Sequence, residues 1–235
     1  MIKGVSLGPG DPELITVRGL KILQGADRVY FPGSLFANGK KSSYSLSILD
    51  DYLLDPNRLK GFYLEMSLDR EQAESVYQET FLAIKKDHEN GLMVAIVSEG
   101  DISTYSSFSY LLRRFKEQNI EVELIPGITS FALAASESQT PLCLLNEKVI
   151  VLPRVQNETE LEEALNNCDT LILMKIRSVV PIITSVIKRK GLKFQYFERL
   201  GTEEQYQTEK VEELEERKVP YFSIMIIKKG HYVEN

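Results

Sequence analysis

The sequence predicts an α/β fold of two αβα domains with mostly parallel open sheets, on three observations. Eight short apolar runs are separated in most cases by helical patterns, the alternation that builds parallel β-α-β units. Those helical patterns are too few and too uneven for eight regular repeats, which favours two open sheets over a closed barrel. The 235 residues also allow two domains of about 110 residues each. A turn and a small-residue segment near Pro126–Ser138 separate two groups of strands. The expected domains are therefore 1–127 and 128–235.

In chain order, the strand-like runs are Gly4–Leu7, Arg28–Phe31, Leu92–Val97, Glu121–Ile125, Lys148–Leu152, Thr170–Lys175, Lys193–Phe197 and Tyr221–Ile227. Short apolar stretches of this kind suit strands buried on both faces. A helix is expected from Pro12, with Leu14, Val17 and Leu20 at spacings of three. A second covers Arg70–Glu89. A third places Tyr105, Phe108, Leu111, Leu112 and Phe115 on one face. The small apolar stretch Phe131–Ser136 suits a closely packed helix. Later patterns cover Glu158–Asn167 and Val179–Lys190, the latter stopped by Gly191. The charged run Glu209–Lys218 reads as a solvated helix face.

Composition narrows the function. The chain is 43% hydrophobic and 26% charged, with net charge -6 and a pI near 5.2. It has no Lys/Arg run that could track a phosphate backbone, so nucleic acid is an unsuitable partner. Cys143 and Cys168 stand far apart in apolar or helical surroundings and read as buried thiols of a reducing cytoplasm. His88 and His231 have no companion at ligand spacing, so no metal site is expected. Met1–Val5 leads straight into a strand, and no apolar run approaches the roughly 18 residues of a membrane span. A soluble, cytoplasmic protein is expected.

Three loops carry the chemistry, each directly after a strand. The first, Leu7-Gly8-Pro9-Gly10-Asp11-Pro12-Glu13, has glycines for a tight reversal, Asp11 to cap a helix and Pro12 for its first turn. It is not a dinucleotide loop. Glu13 replaces the third glycine, and Asp11 puts a carboxylate where pyrophosphate would sit. A ligand without phosphates remains admissible. The second is Ser98-Glu99-Gly100-Asp101, whose carboxylates suit hydroxyl or amino donors. The third is Pro126-Gly127-Ile128-Thr129-Ser130, with two hydroxyls after a turn. Taken singly, each also reads as a helix cap. Ends of neighbouring parallel strands share one edge, so the three are expected to converge.

Together these loops resemble the tetrapyrrole methylase family. They match its GPGDP-type opening (Gly8–Pro12), its Gly-Asp loop (Gly100-Asp101) and its PG-x-[ST]-S turn (Pro126–Ser130). The resemblance extends through Thr170–Lys175, Glu198–Gly201 and Tyr221–Ile227. Within the family, Glu99–Arg114, Pro32-Gly33-Ser34 and Glu198–Thr202 look most like the branch that methylates precorrin-2 at carbon 20. One departure is visible. The family's usual proline after Gly-Asp is Ile102 here, which predicts a looser loop with Asp101 retained.

The resemblance implies methyl transfer from S-adenosylmethionine to carbon 20 of precorrin-2, or of cobalt-factor II, leaving S-adenosylhomocysteine. It implies a donor cleft between the domains, with the tetrapyrrole on the first domain's side, and a homodimer. Leu7 and Pro9 would wall the donor, Gly100, Asp101 and Thr104 would hold it, and Thr129 and Ser130 would touch it. Met174, Leu200 and Ile224 would close the adenine side. Glu99 and Tyr105 are candidates for the base that takes the ring proton. Arg113, Arg114, Lys175 and Arg177 are candidates for the substrate's many carboxylates. Two alternatives stay open: a tetrapyrrole methylase acting on another ring carbon, and a non-enzymatic nucleotide-binding α/β module.

Overall fold

A computed structural model describes residues 1–65 and 70–229. The chain divides into two compact units, Met1–Thr129 and Ser130–Asn235.

The first unit is built on the strands β1 (Ile2–Ser6), β2 (Arg28–Leu35), β3 (Lys41–Ser42), β4 (Leu59–Glu65), β5 (Val94–Ser98) and β6 (Val122–Ile125). The order is β3-β2-β5-β1-β6, with β4 also pairing with β2. Every pair is parallel except β2–β3. Helices α1 (Val17–Gly25), α2 (Tyr44–Asp50), α3 (Arg70–Glu89) and α4 (Phe108–Glu117) cover the sheet. The period-two alternation of the strands sorts the core onto two faces. Val94 and Ile96 pack with Phe81 and Ile84 of α3 and Leu111 and Phe115 of α4. Ala95 and Val97 pack with Leu23 of α1 and Ile48 and Leu49 of α2. This is the expected αβα layering. β5 is buried along its whole length, which is why it reads as an unbroken apolar run.

The helix expected at Pro12 starts later. Pro12–Leu14 is one 3-10 turn, capped by Asp11, whose Oδ1 accepts from the Glu13 N–H at 2.8 Å. Ile15 and Thr16 are extended, and Thr16 then caps α1 by accepting from the Gly19 N–H at 3.0 Å. Val17 is 72% exposed, while Gly19 and Leu23 are buried. The buried stripe therefore runs at spacing four from Gly19, not through Leu14, Val17 and Leu20. Tyr105 likewise lies outside α4, in the left-handed region with φ 51°.

The second unit contains α5 (Ser130–Glu137), β7 (Val149–Leu152), α6 (Glu158–Asn167), β8 (Thr170–Met174), α7 (Val180–Lys190), β9 (Phe194–Glu198), β10 (Tyr206–Thr208), α8 (Val211–Glu216) and β11 (Ser223–Lys228). Its sheet order is β10-β9-β11-β8-β7. Here the expected mostly parallel order becomes mixed. β7 and β8 are parallel, but β11 lies between β8 and β9 and runs against both, and β10 runs against β9. Leu171 and Leu173 of β8, Tyr196 of β9 and Met225 of β11 form one core with Leu161 of α6, Ile183 and Ile187 of α7 and Leu214 of α8. Gly191, at φ 60°, ends α7 as the sequence predicts.

Cys168 is buried, and burial pushes its thiol up. Cys143 is exposed, contrary to expectation. It sits in a connection whose apolar Leu144 and Leu145 are exposed as well. His231 lies outside the described residues. Among those described, no group of three or more His, Cys, Asp or Glu is placed to hold a metal, and no helix is long and apolar enough to cross a membrane.

Candidate functional site

In the first unit β1 lies between β5 and β6, so the loops leaving these three strands emerge side by side. The backbone joins the first two. Gly8 donates to the Gly100 carbonyl at 3.2 Å, Gly100 donates to the Gly8 carbonyl at 2.7 Å, and Leu7 donates to Ser98 at 2.9 Å. Both glycines have positive φ, 83° and 64°, a region glycine enters without steric cost. The third loop is tied to the second by the Gly127 N–H, which donates to Asp101 Oδ2 at 2.8 Å. The turns carrying Pro9, Asp101 and Gly127–Thr129 therefore form one edge.

Ser6 fastens this edge from below. Its hydroxyl donates to the Ile125 carbonyl at 2.8 Å and accepts from the Ile102 N–H at 2.8 Å. The family's proline at 102 has no N–H, so the departure adds a bond instead of loosening the loop. Ile102 is also buried, beside Gly4. Ser6 is fully buried, so Ser6→Ala should orphan the Ile102 N–H and cost about 2 kcal/mol, measurable by urea unfolding.

Asp101 is the hub. Its Oδ1 accepts from the Ser103 N–H at 2.9 Å, the Ser103 hydroxyl and the Thr104 hydroxyl at 3.2 Å, while Oδ2 accepts from Gly127. Burial raises its carboxyl, but these hydrogen bonds from Ser103, Gly127 and Thr104 outweigh that and hold it below the usual carboxylate range. Oδ2 retains room for one further donor. Beside it, a side chain built on Gly100 would meet nothing within 4 Å, so the backbone there is open to a ligand.

Helix α2 also reaches this edge and was not anticipated. Tyr44 donates to the Pro9 carbonyl at 3.3 Å, Ser45 donates to Glu99 Oε1 at 2.6 Å, and Tyr52, just beyond the helix, donates to the Pro12 carbonyl at 2.8 Å. Burial raises the Glu99 carboxyl, and the Ser45 hydroxyl partly offsets it. The available sequence signal was Ser43, which caps α2 by accepting from the Leu46 N–H at 3.0 Å. Tyr105 is 48% exposed on the loop before α4.

The remaining candidates fall in different places. Leu7 has no exposed surface and packs with Val5 and Val97, so its side chain cannot wall a ligand. Period-two alternation from Val5 puts it on the core face. Thr129 ends the first unit and Ser130 opens α5. In the second unit Met174 and Ile224 are register partners across β8 and β11. Leu200, itself buried, follows β9, in a turn where Arg199 has φ 47° and donates from its backbone to the Phe222 carbonyl. These three thus share one edge of the second sheet. Arg113 and Arg114 do not suit a substrate: both pair with Glu74, and Arg113 also with Glu117.

This architecture and these loops have relatives. A family model, Tetrapyrrole (Corrin/Porphyrin) Methylases, matches residues 1–215. The cobalt-precorrin-2 C(20)-methyltransferase of Salmonella typhimurium is 32% identical over 98% of this chain and 97% of its own. The precorrin-2 C(20)-methyltransferase of a Sinorhizobium species is 30% identical, over 95% and 93%. Among solved structures, a cobalt precorrin-4 methyltransferase superposes with TM-score 0.72 at 20% identity, covering 97% of this chain and 94% of that one. The uroporphyrin-III C-methyltransferase of Thermus thermophilus, complexed with S-adenosyl homocysteine, gives 0.64 at 19% identity, covering 97% and 91%. With the three glycine turns joined into one edge and a family match spanning most of its length, this chain belongs to the tetrapyrrole methylases.

Proposed function

We propose that the chain transfers the methyl group of S-adenosylmethionine to carbon 20 of precorrin-2, or of its cobalt-loaded counterpart cobalt-factor II, in corrin-ring biosynthesis. The observation that carries this reading is the edge where Gly8 pairs with Gly100 and Asp101 with Gly127. It belongs to a chain with relatives of that activity along nearly its full length.

The edge fits a phosphate-free donor: open backbone at Gly100, a carboxylate with one acceptor position left, and no cationic side chain among the bonds that build it. Bound there, the donor supplies an electrophilic sulfonium methyl, so the chain needs no Ser or Cys nucleophile of its own. Its tasks are alignment, exclusion of water and acceptance of one proton. Donor contacts are assigned to Pro9, Gly100, Asp101, Thr104, Thr129 and Ser130, with Leu7 contributing backbone alone. Met174, Leu200 and Ile224 stay together on one edge of the second unit's own sheet, where the resemblance assigns the adenine, and the buried Leu200 and Ile224 would offer backbone alone.

Glu99 and Tyr105 remain the candidates for the base that takes the carbon-20 proton. A carboxyl raised by burial holds a proton more readily than a free one, which favours Glu99. Glu99→Gln should lower kcat by about 100-fold while leaving donor affinity unchanged. An unaltered kcat would remove Glu99 and leave Tyr105.

The function itself is tested by incubating the purified protein with labelled S-adenosylmethionine and either substrate, then locating the label by NMR. Label at carbon 20 is expected. Label on another ring carbon would assign a different methylase, and donor binding without turnover would favour a non-enzymatic module. The same reading carries a homodimer of the 26.8 kDa chain and a cytoplasmic setting; sedimentation as a monomer would refute the former.

A further inference from the structure

Strand β2 outruns its neighbour β5. It pairs with β4 from Val29 to Leu35 along one side, so β5 and β3 share the other. β5 accompanies it at Arg28–Tyr30, and β3 takes over that side at Ser34 and Leu35. The hairpin of β2 and β3, with the end of β4, therefore projects past the end of β5, where Glu99 and Gly100 follow. Hydrogen bonds fix it there. The Ser43 hydroxyl donates to the Pro32 carbonyl at 2.5 Å, and the next two residues, Tyr44 and Ser45, reach Pro9 and Glu99.

On this projecting piece of sheet one aromatic ring lies flat. A β-carbon on Gly33 would come within 2.6 Å of Cδ1 and Cε1 of Tyr63, and one on Gly61 within 2.7 Å of its Cε2 and phenol oxygen. Gly33 is the register partner of Tyr63 on β2, and Gly61 lies two residues back on the same face of β4. The ring thus rests on two positions without side chains, and a larger residue at either would lift it. Glycine weakens a strand interior and marks a place where something comes close to the backbone. Phe31 stands edge-on to the ring, with centroids 6.2 Å apart and planes at 87°. The Lys41 ammonium lies 4.7 Å from the ring centroid, on an exposed side chain of β3. That long, unbranched chain is free to leave when a ligand takes its place. Gly33 belongs to Pro32-Gly33-Ser34, a segment that neither the donor contacts nor the candidate bases involve.

The geometry points to the Tyr63 ring, laid on Gly33 and Gly61, as the surface on which the tetrapyrrole macrocycle stacks beside the Glu99–Gly100 loop. The flat, conjugated part of such a ligand meets an aromatic face over a large area. A floor already fixed by its supports loses little freedom on binding. This rests on the proposed function for the class of substrate, and it concerns stacking alone, with no carboxylate contact.

The test uses uroporphyrin III, a flat, fluorescent tetrapyrrole, titrated against the full-length protein and its Tyr63→Leu, Tyr63→Phe and Gly33→Ala variants. Tyr63→Leu keeps an apolar cover over the glycines but removes the flat face, and should raise the probe Kd about tenfold, the upper size of one aromatic pair. Tyr63→Phe should keep nearly all the affinity. Gly33→Ala retains the tyrosine but lifts its ring, and should weaken the probe in the same direction as Tyr63→Leu. It alone decides if the Leu variant does not fold. Donor affinity, read by calorimetry, should not move in any of them. An unchanged probe Kd in Tyr63→Leu overturns the assignment. So does a Phe variant as weak as the Leu variant, which would put the effect on the hydroxyl, or a donor affinity that falls in step with the probe's. The two readings fail separately. If the unaltered protein methylates carbon 20 and Tyr63→Leu keeps the tetrapyrrole KM, the stacking surface is wrong. If Tyr63-dependent probe binding survives without methylation at carbon 20, the reaction is wrong and the stacking surface stands.

Discussion

Replacing Gly127 with alanine is expected to destabilise the first unit by about 2–3 kcal/mol and to weaken donor binding by at least an order of magnitude. A β-carbon at 127 would lie 2.4 Å from the Ser6 β-carbon and 3.1 Å from the Gly100 carbonyl oxygen. Neither neighbour can yield cheaply. Ser6 is fully buried and bonded to Ile125 and Ile102, and the Gly100 carbonyl receives the Gly8 N–H. Relief must come from moving the third turn off the other two. Gly91→Ala is the control: φ is 82° and its β-carbon meets nothing within 4 Å, so it should cost about 1 kcal/mol of backbone strain and leave donor affinity intact. Urea unfolding and calorimetry read both effects. Donor affinity unchanged in Gly127→Ala would separate this edge from the donor.

Asp101→Asn is expected to cost about 2–3 kcal/mol near neutral pH and to remove a pH dependence the unaltered protein should show. One oxygen becomes an amide nitrogen, so the carboxamide cannot accept from Gly127 and from the Ser103–Thr104 group at once. The sign follows from linkage. A carboxyl held below its ordinary 3.8 stabilises the fold at pH values above that figure. The contribution is lost as pH falls through the lowered folded-state value. Glu99 acts in the opposite sense. Its folded-state value is raised above the ordinary 4.5, so its ionisation favours the unfolded chain as pH rises past that figure. The Asn variant should therefore lose stability less steeply below pH 3.8 than the parent and match it in slope above 4.5. Equal acid slopes would mean Asp101 does not carry the effect.

Much of this was written in the sequence because the relevant signals are local. Gly8, Gly100 and Gly127 mark reversals at strand ends, and neighbouring parallel strands bring such ends together. The direction of β11 was not legible: Tyr221–Ile227 is an apolar run that reads alike parallel or antiparallel. Strand β4 escaped because Lys60 and Gly61 interrupt it and much of it is exposed. Helix α2 escaped because seven residues containing two serines carry little helical propensity, although Tyr44 and Ser45 reach the first two loops. Arg113 and Arg114 looked available because their partner Glu74 lies on another helix.

Ser6 has one hydroxyl serving two strands' worth of backbone, and its usefulness depends on what stands at 102. With proline there, the oxygen would keep its bond to Ile125 but face a nitrogen with nothing to offer. Positions 6 and 102 are therefore physically coupled: removing the hydroxyl while 102 keeps its N–H leaves a buried donor without an acceptor. Homologues should change the two in concert.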